Sequence, residues 1–206
     1  MWPMGNARRY RLTKLDPDLI TGAQVQALMK ACSRRAPTGI RNRAIICVAW
    51  RCGLRVSEIC DLQLKDIDLD AGRLTVRHGK GDRSRIVAID AGTVEVVGRW
   101  LDVRSKLAMK RSAPIFATLR GERLDPSYLR HALPRLGKKA GIEGVRLHMH
   151  MFRHLHAIEL EREGATISEI RDLLGHSSVS VTDRYLRRAG ASRAVEFARR
   201  RSWETT

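Results

Sequence analysis

Four short segments carry residue types suited to chemistry on an anion. Gly53-Leu54-Arg55-Val56-Ser57-Glu58 puts an arginine just after a helix stop, with a carboxylate three residues on, close enough on a helix face to fix the guanidinium. Gly79-Lys80-Gly81 sets a lysine at a hairpin tip, where flanking glycines let backbone and ammonium approach a ligand closely. A lysine so placed can donate a proton if neighbouring cations lower its pKa. In His150-Met151-Phe152-Arg153-His154 the first histidine and Arg153 are i,i+3 neighbours, and His154 is i+4 from His150. Leu173-Leu174-Gly175-His176 ends a helix on glycine and leaves His176 in a loop, with Tyr185 nine residues further on. The set holds permanently charged bidentate donors, possible proton donors and a tyrosine on the helix that follows His176.

Each segment also has an ordinary structural reading. Arg55 and Glu58 suit a buried ion pair, Lys80 a solvated turn, His176 a helix cap and Tyr185 a core position. The histidine spacing, with His148 and His156 alongside, also admits a metal site. A zinc-peptidase helix needs a glutamate next to its first histidine, and position 151 is Met. Phosphate binding by a mixed His/Arg face is therefore favoured over metal ligation, and no metal or other cofactor is expected.

The charge balance points the same way. Lys+Arg is 39 against 22 Asp+Glu, a net charge of +17 on 206 residues. Such an excess repels itself unless a polyanion accepts it. Of those cations 31 are Arg and 8 are Lys, and the guanidinium fork matches phosphate geometry. Tyr10, Tyr128 and Tyr185 are the only tyrosines, which argues against an aromatic-rich single-strand binder. The longest apolar run, Ala44 to Trp50, is far short of the ~20 residues that span a bilayer, and residues 1–10 have no apolar signal core. Cys32, Cys47, Cys52 and Cys60 form no CxxC pair and read as reduced core residues of an intracellular protein.

The elements that must position these residues follow from periodicity. Residues 1–20 read as a basic arm or linker, and 21–206 as one domain. Thr21-x-x-Gln24 is a capping box that opens a helix. A turn at Pro37–Gly39 precedes an apolar helix over about 41–52, stopped by Gly53, and a short helix over 56–62. The period then changes to two, which predicts three strands carrying Ile67 and Leu69, Leu74 and Val76, then Ile86, Val87 and Ile89. Helices are predicted again over about 92–108, from the Asp125-Pro126 cap to 140 with a kink at Pro134, and over 149–163, 166–174, 178–187 and 191–201, the last strongly basic. Ile115-Phe116 reads as a short extended piece. The fold class is mainly α with a small three-stranded antiparallel sheet.

Together and in this order, the segments resemble the catalytic domain of the tyrosine recombinases, the phage-type or Xer-type integrases. That pattern is an arginine in GLRxSE, a lysine in a GKG hairpin, HxxRH, then LLGH and a tyrosine nine residues later, and it covers about residues 21–190. The resemblance implies a site-specific recombinase that cuts DNA through a 3′-phosphotyrosyl intermediate, without metal or ATP. It makes Tyr185 the nucleophile, Arg55 and Arg153 the phosphate clamp, His176 a further donor, Lys80 the general acid, and His150 an aid to proton transfer. Glu58 resembles the acid that orients the first arginine, and His154 a structural neighbour of the second. Arg83, Arg85, Arg187 and Arg188 are expected on flanking DNA backbone.

Expected partners are duplex DNA and further copies of the chain, as a tetramer docked through the C-terminal segment. Only 20 residues precede the domain where the family usually carries a further clamp domain, which leaves three readings open: a fragment of a longer recombinase, a minimal enzyme, or one that uses an accessory protein to supply the missing clamp domain. The expected setting is the nucleoid of a prokaryote, phage or mobile element. Two alternatives stay open: a non-catalytic DNA-binding or regulatory module of the same fold, and a type IB topoisomerase-like strand-passing enzyme.

Overall fold

The computed structural model describes residues 19–77, 84–107 and 109–175. Helix α1 (Gly22–Ala31) begins at the predicted capping box: Gln24 N–H donates to Thr21 Oγ1 at 3.2 Å and Thr21 N–H to Gln24 Oε1 at 2.9 Å. Helix α2 (Pro37–Arg51) starts four residues before its predicted place, because Pro37 stands in its first turn rather than in a separate turn. Proline suits that position, where its missing N–H is no loss. Ile40, Ala44, Ile45, Ile46, Val48 and Ala49 bury α2 nearly all round, and it packs on α1, α4 and α6. Its last turn ends at Cys52, and Gly53 then takes a left-handed φ of +61°.

Helix α3 (Val56–Asp61) and a single 3₁₀ turn (Leu64–Asp66) lead into the sheet. Strands β1 (Ile67–Asp68), β2 (Arg73–Val76) and β3 (Arg85–Ala88) are antiparallel in the order 1-2-3, with Leu74 opposite Val87 and Val76 opposite Arg85. Alternation sends Leu74, Val76 and Val87 into the core and leaves Ile86, on the edge strand, exposed. Arg85 shares the inward parity of Val87.

Helix α4 (Ala91–Ser105) is capped by Asp90, whose carboxylate accepts from Thr93 N–H at 2.7 Å. Ile115 and Phe116 are buried but form no strand: Ile115 N–H donates to Leu62 O at 2.7 Å and its carbonyl accepts from Trp100 Nε1 at 2.9 Å. The bridge nearby joins Ala117 to Arg123. Helix α5 (Pro126–Lys139) continues through Pro134. Helix α6 (Met149–Glu163) ends on Gly164, and α7 (Ile167–Leu174) on Gly175, both left-handed as their helix-stop role requires. The mainly helical fold with a three-stranded antiparallel sheet is as expected from the sequence.

The four cysteines are buried free thiols, and burial pushes Cys32 and Cys60 up to about 11. No described helix is long and apolar enough to cross a membrane. The predicted arm before residue 19 and the predicted helices over 178–187 and 191–201 lie outside the described residues.

Candidate active site

Helix α7 ends against three arginines drawn from three other parts of the chain. Arg85 Nε donates to Leu173 O at 2.9 Å, Arg153 Nη2 donates to Leu174 O, and Arg55 Nη2 donates to Gly175 O at 3.0 Å. The last carbonyls of a helix have no intrahelical partner and carry the negative end of its dipole, so cations suit them. Three successive carbonyls are each matched by a different guanidinium.

Glu58 is the counter-charge. It lies at the third position of α3, and its Oε2 accepts from Arg55 N–H at 2.8 Å, fixing the helix start. Its Oε1 also accepts from Arg55 Nη1 at 2.9 Å, the pair the sequence spacing anticipated. Arg85 then docks on it end-on, Nη1 to Oε1 at 2.9 Å and Nη2 to Oε2 at 2.8 Å. Four hydrogen bonds use the acceptor capacity of one carboxylate. Burial disfavours the charged form of Glu58, yet the bonds from Arg85 and from Arg55 hold its pKa below the usual range. It stays ionised at neutral pH.

Arg153 comes from α6 and is 2% exposed, wedged between α2 and α7. Its Nη1 donates to Gly53 O at 2.6 Å, so the left-handed turn after α2 presents a carbonyl to it. Its Nε is buried without a hydrogen-bond partner. Burial, then the nearby positive charge of Arg55, lowers its pKa to about 9. Gly53 tolerates no side chain here: a Cβ would lie 2.6 Å from His156 Cδ2 and 2.7 Å from Leu174 Cδ2.

The histidines of α6 divide. His150 reaches solvent and its ring meets that of His154 edge-on, with centroids 4.4 Å apart. Desolvation, then the charges of Arg153, His148 and Arg55, lower its pKa, so it is neutral at pH 7 and able to accept a proton. His156 is buried on the opposite side, under Gly53, and burial lowers it to about 4. Among the described residues no group of three or more His, Cys, Asp and Glu could hold a metal ion, so the histidine spacing does not converge there.

The structure therefore pairs Arg55 with Glu58 as their spacing implied, and it also brings Arg153 to the end of α7 beside Arg55, a meeting that spacing alone did not predict, with His150 and His154 on the same helix as Arg153. Arg85, expected on flanking DNA, instead has its guanidinium committed to Glu58 and Leu173, with its side chain only 11% exposed. Its strand parity with Val87 was the available signal for an inward position. Lys80, Arg83, His176, Tyr185, Arg187 and Arg188 lie outside the described residues.

Residues 18–191 match the Phage integrase family. The chain belongs to that family. It is 37% identical over 183 residues to the type 1 fimbriae regulatory protein FimE of Escherichia coli K12, covering 87% of this chain and 88% of FimE. It is 36% identical over 172 residues to the tyrosine recombinase XerA of Thermococcus kodakarensis, covering 82% of this chain and 57% of XerA. Among solved structures it resembles XerA recombinase with a TM-score of 0.74 at 31% identity, covering 95% of this chain and 67% of that one. It also resembles XerH recombinase bound to a palindromic difH substrate in a post-cleavage complex, with a TM-score of 0.71 at 26% identity, covering 88% and 52%. The relatives place this fold among the tyrosine recombinases.

Proposed function

We propose that this chain is a site-specific DNA recombinase that cuts and rejoins duplex DNA at one phosphodiester per strand. The observation that carries the reading is the charge balance at the end of α7: three guanidiniums, one carboxylate already saturated, and a buried Arg153 Nε without a partner. That is a surplus of fixed positive charge suited to a phosphodiester, whose single negative charge grows in the transition state.

In this reading the Tyr185 oxygen attacks the phosphorus in line. The bond to the 5′-oxygen breaks, giving a 3′-phosphotyrosyl link and a free 5′-hydroxyl. Arg55 and Arg153 hold the two non-bridging oxygens, whose charge grows in the transition state, and His176 donates to them as well. Lys80 gives the leaving 5′-oxygen its proton, and neutral His150 helps remove the phenolic one. A second strand's 5′-hydroxyl then attacks the phosphotyrosine and restores a phosphodiester. Bond energy is conserved, so the scheme asks for no ATP and no metal. Duplex DNA as partner is supported by the net charge of +17 and by the XerH–difH complex. A tetramer on two duplexes, docked through the C-terminal segment, belongs to the same reading.

The test uses a library of nicked duplexes with randomised core sequence. Wild-type protein is expected to leave a DNA adduct that survives denaturation, and sequencing the trapped strands identifies the site. Tyr185→Phe is expected to abolish the adduct with affinity nearly unchanged. Binding without adduct anywhere in the library would replace this reading with a regulatory DNA-binding module.

A further inference from the structure

Arg85 is the one member of the arginine cluster that no recombination step above uses. It stands on the edge strand β3, at the mouth of the hairpin that carries Lys80 in the sequence. Its side chain is 11% exposed and Glu58's is 5% exposed, so the pair is sheltered from solvent. Its donors reach two elements at once: both oxygens of Glu58 on α3, and Leu173 O on α7. The same Glu58 oxygens hold the backbone and side chain of Arg55. Arg55 and Arg153 in turn grip the next two carbonyls of α7.

Resting on the recombinase reading, we infer that Arg85 is a positioning residue for strand cleavage, fixing Glu58, and through it Arg55, in the orientation that receives the scissile phosphate. Without it, Glu58 keeps only Arg55 as a cation partner and is free to close fully around that guanidinium. Arg55 would then face the carboxylate rather than the phosphate. The end of α7 would also lose one of its three ties, immediately before His176 in the chain. A lysine cannot replace the arrangement, because one ammonium cannot span two carboxylate oxygens and a carbonyl in the plane of a guanidinium.

The test compares wild type, Arg85→Lys, Arg85→Gln and, as a control on the neighbouring strand, Arg73→Gln, whose exposed pair with Asp68 lies away from the cluster. Adduct formation is followed on the nicked-duplex library at saturating DNA, with affinity and its salt dependence measured separately. Both Arg85 variants are expected to slow adduct formation by roughly 100-fold, as small misplacements of reacting groups do, with affinity and salt slope unchanged and Arg73→Gln like wild type. Weaker binding with a salt slope smaller by about one, and a normal rate at saturation, would make Arg85 a DNA phosphate contact and overturn the inference. A lower melting temperature with a normal rate would make it a fold-stabilising residue and overturn it equally.

A second measurement separates this inference from the recombinase reading. Inorganic phosphate is titrated against the arginine Nε–H resonances of Arg55 and Arg153. Both are expected to shift in wild type, and the Arg55 response is expected to vanish in Arg85→Gln. If wild type gives no adduct but that loss is seen, the recombinase reading fails, while the part of the inference by which Arg85 sets Arg55 to receive a phosphate stands. A phosphate response that survives Arg85→Gln, or is absent from wild type, overturns the positioning role.

Discussion

Two charge clusters flank the turn at Gly53, and they are built with opposite balance. On one side Arg51 is a single guanidinium between two carboxylates: Nε donates to Asp90 at 2.7 Å and Nη1 to Glu159 at 3.2 Å, while Trp50 Nε1 also donates to Glu159 at 2.9 Å. On the other side Glu58 is a single carboxylate amid Arg55, Arg85 and Arg153. The first cluster is closed, since its cation is outnumbered and its partners are internal. The second has positive charge left over and donors to spare. Burial of an arginine therefore says little by itself. Arg41 also has an unpartnered buried Nε, but it is solitary, donating to Ala117 O at 2.7 Å with its guanidinium 4.9 Å from the Tyr128 ring centre. What distinguishes the candidate site is convergence of cations on too little acid.

The largest expected difference between the two clusters is in cleavage. Arg153→Lys keeps the charge but loses the fork, and adduct formation at saturating DNA is expected to fall by roughly 100- to 1000-fold. Arg51→Lys is expected to stay within about twofold of wild type, because its cluster offers nothing to a substrate. A large loss from Arg51→Lys would erase the contrast.

Stability should divide them next. Glu58→Gln leaves the sheltered guanidiniums of Arg85 and Arg153, with the half-buried Arg55 beside them, without a counter-charge and is expected to destabilise by roughly 3 kcal/mol in urea unfolding at pH 7. Glu159→Gln is expected to change stability by less than about 1 kcal/mol. Burial, offset by Trp50 and Arg51, leaves the Glu159 pKa above its ordinary value. The folded state then holds a proton the unfolded state has lost, so stability falls as pH rises from the unfolded pKa through the folded one. Glu159→Gln should remove that slope, whereas Glu58, with its pKa lowered, stabilises above its unfolded pKa and loses this contribution as pH falls through the folded one.

His156, beneath the turn that separates the clusters, supplies an acid-side signature of its own. It is held neutral by burial to about 4, against an ordinary value of 6.5. The unfolded chain takes up the proton first, so stability is complete above pH 6.5 and declines as pH falls toward 4, by roughly 3 kcal/mol. His156→Gln should flatten that part of the stability–pH curve. An unchanged curve would mean that His156 is solvated in the folded protein.

The Arg55–Glu58 pair was legible from local rules, a glycine stop before Arg55 and i,i+3 spacing to Glu58, as were His150 and Arg153 as neighbours on one helix, whereas the meeting of Arg153 with Arg55 was implied only by the resemblance of the four segments, taken in order, to the recombinase pattern. The three strands and the α6 and α7 boundaries were legible from period and caps. Arg85 was not, since its partner is 27 residues away and strand parity reveals inwardness without naming a neighbour. The carbonyls of Gly53, Leu173, Leu174 and Gly175 were invisible for a simpler reason. Backbone acceptors have the same chemistry at every position, so no residue type announces them. The start of α2 was misplaced because Pro-x-Gly signals a turn as strongly as a helix entry.

The end of α7 also sets an order of events during synthesis. The carbonyl partners of Arg55 and Arg85 lie 120 and 88 residues downstream in the chain. A nascent chain extended only to residue 165 already holds all three arginines and Glu58, but none of residues 173–175. Its guanidiniums have no helix end to grip and remain hydrated. Contacts so distant in sequence close late, because chain closure must precede them. The cluster is thus assembled only when the last helix described arrives: a chain ending at residue 165 already carries a net charge of 31 − 17 = +14 of the full +17, but not the carbonyls that its arginines grip.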